Sequence, residues 1–380
     1  MSKYLSGKPN LAIISDTLMY RSNGIYVFEP VLREVDSFSD LFSTIRWLGF
    51  GHQKNPPKNT KKEIPVNLKL LSVRPSGGNS ILKKVAILFF IPYYIFKIIQ
   101  LLNKSDIIHT RGPSIPALLT IIISFFYPSK NYWHKYAGNW QIESKTISYR
   151  FQKWLLKTKI PGKVFVVRRN NLDPKHILSC VNPCLTNKEI KLNIKFGLRK
   201  KFNDKLIFCF VGRLEKSKGF LALLKAVKSL HNIKWIEKLH CVGEITEGNY
   251  IEGMNSNGKI TIKYHGVLDR KGLNKIYKDS HFIILPSESE GFPKVLAEAS
   301  SYGCIPIIPP ISAILSNINK EKKNGIVLED INSQGIVRTI ESLQKIKSQL
   351  SEYSINAMQE LEKYSYEKYN HIILNEIIQN

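Results

Sequence analysis

Two facing, Rossmann-like, doubly wound α/β domains are predicted for this chain, on three observations. Its 380 residues exceed what one ordinary hydrophobic core serves, so two domains of roughly 150–200 residues are expected. Short apolar runs alternate with helix-length stretches, the pattern of βαβ units around a parallel sheet. A polar, lysine-rich stretch, Thr186–Asp204, interrupts that alternation once, after which it restarts. The expected organisation is an N-terminal domain at residues 1–190, a linker at 191–204, a C-terminal domain at 205–360, and a terminal helix of open packing at 361–380.

In the first domain, Leu11–Ser15 is an apolar run suited to a parallel strand, followed by a polar loop holding Asn23-Gly24. Residues 51–62 are basic and rich in breakers, hence a surface loop. Asn67–Val73 reads as a strand. Ile81–Leu102 is apolar and aromatic, with Lys83, Lys84, Lys97 and Lys104 around it. A membrane span needs about 20 predominantly apolar residues, and Val85–Leu102 offers 18 containing Pro92 and Lys97. The expectation is a helix that is buried or lies at an interface, and its basic flanks and Tyr93-Tyr94 suit contact with a membrane surface. Asp106–His109 (strand), Pro116–Tyr127 (helix), Asn131–Lys135 (strand), Ser144–Lys157 (helix) and Lys163–Val167 (strand) follow.

The second domain restarts with the strand Leu206–Val211, then helix Ala222–Leu230, strands Leu239–Val242 and Ile260–Tyr264, helix Leu273–Lys278, strand Phe282–Leu285, helix Val295–Tyr302 and strand Ile305–Ile308. Helices around Ser351–Glu362 and Tyr366–Ile378 close the chain. Two facing sheets of this kind leave a cleft at the carboxyl ends of their strands.

Composition narrows the class. Apolar content of 43% and aromatic content of 11% describe a globular protein and exclude a disordered one. The five cysteines (Cys180, Cys184, Cys209, Cys241, Cys304) are odd in number and show no C-x-x-C spacing. Neither a disulfide framework nor a zinc cluster is expected, and a reducing cytosol fits. Met1–Asn10 has no apolar signal core, so export is not expected. The net charge of +26 divides as +18 for residues 1–190 (28 basic, 10 acidic) and +8 for the rest (28 basic, 20 acidic). Lysine makes up 44 of the 56 basic residues, and such richness in Lys, Ile and Asn also follows from genomic nucleotide bias. Bias alone does not explain the asymmetry, which suggests an anionic partner for the first domain: a phospholipid surface, a polyprenyl diphosphate or nucleic acid.

Two segments carry chemistry. After the apolar run Phe282–Pro286 come Glu290-Gly291-Phe292-Pro293-Lys294-Val295 and, eight residues beyond the first carboxylate, Glu298. Gly291 and Pro293 stop the strand, while Pro293 is comfortable in a first helical turn. Glu290 is therefore expected in a strand-to-helix loop and Glu298 more than a turn into the helix. A helix N-terminus favours anions such as phosphate, and carboxylates nearby accept hydrogen bonds from sugar hydroxyls. The second segment is Val211-Gly212-Arg213-Leu214 through Lys218-Gly219. Gly212 lets backbone approach a ligand, Arg213 offers a fork of donors to a diphosphate, and Lys218 adds a second charge. The spacing is not that of a P-loop, and charged turns are common in α/β proteins. It is the combination of the two segments that points to a nucleotide sugar.

Together with Tyr264-His265-Gly266-Val267, Leu285-Pro286-Ser287, Gly303 and Pro306, these segments resemble the donor domain of glycosyltransferase family 4, of the two-domain GT-B fold. The resemblance spans residues 205–330, about a third of the chain. It implies that Arg213 and Lys218 hold the donor diphosphate, that Glu290 contacts sugar hydroxyls, and that Glu298 contacts the ribose. It further implies that Gly212, Gly291, Phe292, Pro293, Lys294, Val295 and Val267 line the donor, Pro293 by shape only. Retention of anomeric configuration, no metal and no cofactor besides the nucleoside diphosphate sugar substrate are implied as well.

Departures from the family pattern are visible. Ser22-Asn23-Gly24 is a thin version of the usual glycine-rich loop, leaving Asn23 and Gly24 as donor-side candidates. The family's histidine at the mouth of the cleft aligns with His134 or with Ala137, depending on a gap. His109 and Arg111, at the end of another strand, are acceptor-side candidates, with capping or packing as the competing reading, and Ala137 is an acceptor-side candidate as well. Pro309-Pro310-Ile311-Ser312 replaces the usual glycine pair after Pro306.

The reading that follows is a cytosolic glycosyltransferase, peripheral at the inner face of the cytoplasmic membrane. It moves a hexose-type sugar to a saccharide acceptor, lipid-linked, in bacterial capsule or lipopolysaccharide synthesis. Two carboxylates flanking one glycosidic bond would suit a hydrolase, but the loop and helix placement of Glu290 and Glu298 disfavours it. The alternatives are a basic nucleic-acid-binding protein, for which no binding motif is present, and a catalytically silent scaffold of the same fold.

Overall fold

The computed structural model describes residues 7–76, 81–144, 146–203, 205–230, 233–247 and 260–379, with backbone alone for 81–86, 312 and 313. The side chains of Lys83 and Lys84, part of the Met1–Asn10 reading and Asp204 of the expected linker lie outside the described residues. The chain forms two compact units: one runs to Pro183 and includes the segment from Tyr366, the other is Cys184–Ser365.

The first unit holds a nine-stranded sheet. Its strands are β1 (Leu11–Ser22), β2 (Gly24–Phe28), β3 (Ile45–His52), β4 (Thr60–Lys61), β5 (Leu68–Val73), β6 (Ile107–Gly112), β7 (Asn131–Tyr136), β8 (Lys163–Val166) and β9 (Ile177–Ser179). The parallel body runs β5-β3-β1-β6-β7-β8-β9. Helices cover both faces: α1 (Glu29–Ser37) on one, α2 (Ile81–Asn103), α3 (Ile115–Ser124) and α4 (Ile147–Lys157) on the other. Alternation along β1 serves both layers, Leu11 and Ile13 packing with Leu32 and Val35, Ala12 and Ile14 with Tyr94 and Ile98.

Two local features differ from the sequence reading. The polar loop at Asn23-Gly24 is the tip of a β1–β2 hairpin in which Ser22 pairs with Gly24 and Met19 with Val27. Strand β3 carries no strand signal because Gly49 and Gly51 interrupt its apolar run. Each has a local reason: β1 shifts register between Ile14 and Leu18, where a Cβ on Gly49 would lie 2.6 Å from the Thr17 carbonyl oxygen, and a Cβ on Gly51 would lie 2.9 Å from the Ser72 Cβ in β5.

The second unit begins with the stretch read as linker. Residues 187–197 are a helix, α5 (Asn187–Gly197), started by a capping box: the Glu189 N–H donates to Thr186 Oγ1 at 3.0 Å and the Thr186 N–H to Glu189 Oε2 at 2.7 Å. The T-x-x-E spacing is the sequence signal for it. Six parallel strands follow: β10 (Leu206–Val211), β11 (Ile236–Val242), β12 (Thr261–Tyr264), β13 (Phe282–Ile284), β14 (Ile305–Ile308) and β15 (Ile326–Val327). Their order is β12-β11-β10-β13-β14-β15, the dinucleotide-fold order 3-2-1-4-5-6. The helices are α6 (Phe220–Ser229), α7 (Arg270–Asp279), α8 (Lys294–Ser301), α9 (Ser333–Ser342) and α10 (Leu350–Ala357).

The terminal helix α11 (Tyr366–Ile373), whose packing the sequence leaves open, returns to the first unit. Tyr369, Ile373, Ile377 and Ile378 are buried in the same cluster as Leu11, Ile13, Trp47 and Trp133. No helix among the described residues is long and apolar enough to cross a membrane.

Candidate functional site

Strand order locates the site in the second unit. In a 3-2-1-4-5-6 sheet the connections leaving strands 1 and 4 go to opposite faces, and the crevice outside their carboxyl ends is where ligands bind. Those strands are β10 and β13 here. The loop after β10 carries Gly212, Arg213 and Lys218, and the loop after β13 carries Glu290 through Pro293.

Backbone contacts hold the two loops together. The Glu288 N–H donates to the Ser217 carbonyl at 3.0 Å. Gly219, at φ +70°, turns against the end of β13 so closely that a Cβ there would lie 2.0 Å from the Pro286 carbonyl oxygen. Only glycine accepts both the left-handed backbone and that approach. The Lys218 ammonium is thereby held 2.5 Å from Glu290 Oε1, with side chains 22% and 14% exposed. Pro293 is the residue just before α8, its φ of −68° compatible with helix entry, and Lys294 and Val295 open the helix. Glu290 thus lies in the loop and Glu298 more than a turn into α8. Phe292 is buried and stacks on Tyr364, ring centroids 4.7 Å apart, so its side chain is a packing element.

Arg213 is largely exposed and pairs with Glu215 at 3.1 Å. Burial works to raise the Glu215 carboxyl pKa, but hydrogen bonds from Ser217 (2.5 Å) and Thr246 (3.0 Å) and the charges of Arg213 and Lys218 outweigh it and hold the group below its ordinary value. Glu215 therefore stays ionised and orients Arg213, a role the sequence does not reveal because Thr246 lies 31 residues away. Val267 follows β12 in a loop tied to its neighbour by two backbone bonds, Gly243 N–H to Gly266 O (2.9 Å) and His265 N–H to Cys241 O (3.0 Å).

Glu298 has partners that sequence reasoning missed. Arg270 Nη1 lies 2.9 Å from its Oε1, and the Tyr277 hydroxyl donates to Oε2 at 3.2 Å. Burial, reinforced by the Glu298 charge, keeps Tyr277 protonated by raising its pKa well above the usual value. Both carboxylate oxygens of Glu298 are thus engaged within the unit. Among the described residues, no three His, Cys, Asp or Glu side chains form a metal-ligand cluster.

The candidates of the first unit do not form a comparable group. His134 is fully buried, with Nδ1 2.9 Å from Thr110 Oγ1, and burial pushes it down to about 3. It is a neutral histidine of the first unit's core, with no exposed surface. His109 is also fully buried, stacked on Trp133 at 3.7 Å with Nδ1 2.9 Å from the Trp133 carbonyl oxygen, and burial holds its pKa well below the usual range. Its ring, like that of His134, has no exposed surface. Arg111 forms two hydrogen bonds to the buried Glu34, at 2.6 and 3.3 Å, and Lys135 reaches the same carboxylate at 2.6 Å. Arg111 is thus engaged in an internal charge network. Ala137 is exposed just past β7, and Asn23 and Gly24 are exposed at the hairpin tip.

Residues 194–363 match the family described as Glycosyl transferases group 1. The capsular polysaccharide biosynthesis glycosyltransferase CapH of Staphylococcus aureus is 26% identical over 236 residues, covering 56% of this chain and 62% of its own length. An uncharacterised 41.2 kDa protein in the cps region of Klebsiella pneumoniae is 26% identical over 144 residues, 37% of each chain. The chain thus spans less than two thirds of the length of these curated relatives. Among solved structures, Anabaena HepE in complex with UDP and glucose superposes with a TM-score of 0.67 at 14% identity, covering 97% of this chain and 99% of that one. The chain therefore has the GT-B glycosyltransferase fold, and its residues 194–363 match Glycosyl transferases group 1.

Proposed function

We propose that this protein transfers a hexose-type sugar from a nucleoside diphosphate sugar to a saccharide acceptor, with retention of configuration and without a metal. The observation that carries the reading is the meeting of the β10 and β13 loops at the switch point, with Lys218 2.5 Å from Glu290. In transfer, the bond from the anomeric carbon to the diphosphate oxygen breaks, a bond to the acceptor oxygen forms on the same face, and the acceptor hydroxyl proton passes to the departing diphosphate. Negative charge develops on the departing diphosphate, where preorganised cations and helix-terminal amides stabilise it. Arg213, oriented by Glu215, and Lys218 are those cations. A diphosphate that engages Lys218 competes with Glu290 for it, which frees Glu290 to accept hydrogen bonds from the sugar.

The acceptor is taken to be lipid-linked and the product a capsular or lipopolysaccharide-type glycan made at the cytoplasmic face of the membrane. CapH's stated role in capsular polysaccharide biosynthesis and the basic first unit support this extension. The test is a panel of UDP-, GDP- and ADP-sugars with the purified chain, read as nucleoside diphosphate release. Lys218→Ala and Glu290→Ala are each expected to lower turnover about 10²–10³-fold. The reading fails if no nucleotide sugar is bound or turned over, or if Glu290→Ala behaves as wild type.

A further inference from the structure

We propose that helix α2 and the groove at its carboxyl-terminal end form a docking site for an anionic phospholipid surface. One side of α2 is core: Tyr94, Ile98, Leu101 and Leu102 are buried under the first sheet. The opposite side is exposed and apolar, with Leu88 65%, Phe89 81%, Tyr93 39% and Phe96 57% accessible. Residues 88, 92 and 96 and residues 89 and 93 repeat every fourth position, so these side chains form one stripe along the helix. Scattered single apolar residues on a surface need no explanation, whereas a contiguous aromatic stripe marks an interaction site.

The stripe changes character at its end. Lys97, Gln100 and Lys104 continue it, and with Arg46, Lys69, Leu71 and Leu101 they line an open cavity of about 330 Å³. Arg46 and Lys69 are direct partners in the β3–β5 register and so stand side by side on the α2 face of the sheet. The Arg46 guanidinium donates to the Lys104 carbonyl at 2.9 Å, fixing the rim. The lining contains four cations and no carboxylate. Among the described residues none of the four forms an ion pair.

A cavity with that charge is complementary to phosphate. Its continuity with an aromatic stripe selects a phosphate carried beside an apolar phase, namely a phospholipid headgroup. The Lys97 ammonium lies over the Tyr93 and Phe96 rings, at 5.9 and 5.6 Å, so the cation stands next to the rings that would enter the interface. Such a helix lies in the interfacial plane. The inference rests on the proposed membrane-side function for its biological sense, but its readout does not require turnover.

The full chain is floated on sucrose gradients with vesicles of phosphatidylglycerol and phosphatidylcholine, or of phosphatidylcholine alone. Co-flotation is expected with the anionic vesicles only, weakening as salt rises. Lys69→Gln with Lys97→Gln should reduce partitioning about 25-fold, at about fivefold per lysine. Phe89→Ser with Phe96→Ser should also reduce it, and in both variants thermal stabilisation by UDP should be unchanged. The proposal is overturned if flotation is absent, equal on zwitterionic vesicles, or untouched by both variants. It is also overturned if the variants alter binding of inorganic phosphate or of an oligonucleotide while vesicles are not bound. Vesicle binding without turnover of any nucleotide sugar leaves the docking site standing and removes the proposed reaction.

Discussion

Two fully buried histidines make the first unit less stable in acid. His134 is neutral in the folded protein, its pKa pushed by burial to about 3, against 6.5 when the chain is open. The unfolded state therefore binds the extra proton first. The stability owed to His134 is complete above pH 6.5 and is lost as pH falls from 6.5 toward 3. At pH 5 the loss from one such group is about 2 kcal/mol. Urea unfolding at pH 7 and pH 5 measures it: a His134→Gln protein should lose about 2 kcal/mol less than wild type over that interval. Equal losses in the two proteins would rule the assignment out. His109, held the same way, adds in the same direction. His134 drew attention in the sequence through the resemblance to the family's histidine, and His109 through its place at a strand end, where it could face an acceptor. What decides between the readings is whether the ring stacks inward on Tyr132 and Trp133, and strand periodicity alone does not say which face is covered from both sides.

At the scale of elements, the site depends on two strand-to-helix loops meeting, and Gly219 is the hinge of that meeting. A methyl group placed 2.0 Å from the Pro286 oxygen must push the loops apart and carry Lys218 away from Glu290. A displacement of about 1 Å in a positioned catalytic group costs about 100-fold in rate. Gly219→Ala should therefore lower nucleoside diphosphate release by at least that order while circular dichroism still reports a folded protein. Full activity in that variant would show that the loop contact does not position Lys218. The loops were legible in the sequence because each follows an uninterrupted apolar run and is punctuated by glycine or proline. The partners of Glu298 were not, since Arg270 and Tyr277 belong to another helix and nothing in their own neighbourhood marks them. Strand β3 escaped because Gly49 answers to a bulge in β1 and Gly51 to the close approach of Ser72 in β5. Helix α5 was readable from Thr186 and Glu189, and lysine-rich polarity obscured it. Sequence pattern thus exposes what a segment does by itself, and hides what it does for a distant neighbour.

Over the whole molecule, the chain leaves the first unit after Pro183 and returns at Tyr366. The returning segment is part of that unit's core. Tyr369 packs near Trp133 and Phe165, its hydroxyl 3.2 Å from the Lys135 ammonium that neutralises Glu34. Deleting residues 366–380 should expose this cluster and leave the buried Glu34 network without its cover. Hydrogen exchange is the measurement: amides of β1, β3 and β7 should lose protection, while those of β10 and β11 keep it. Uniform protection in both units after the deletion would contradict this division. The same return path sets an order of events during synthesis. A ribosome completes all nine strands of the first sheet, then the entire second unit, before it makes the helix that closes the first core. Leu11, Ile13 and Trp133 must wait for a partner encoded only after the whole of the second unit. The second unit, contiguous in the chain, needs no such wait and can reach its native state while the earlier-made one is still incomplete.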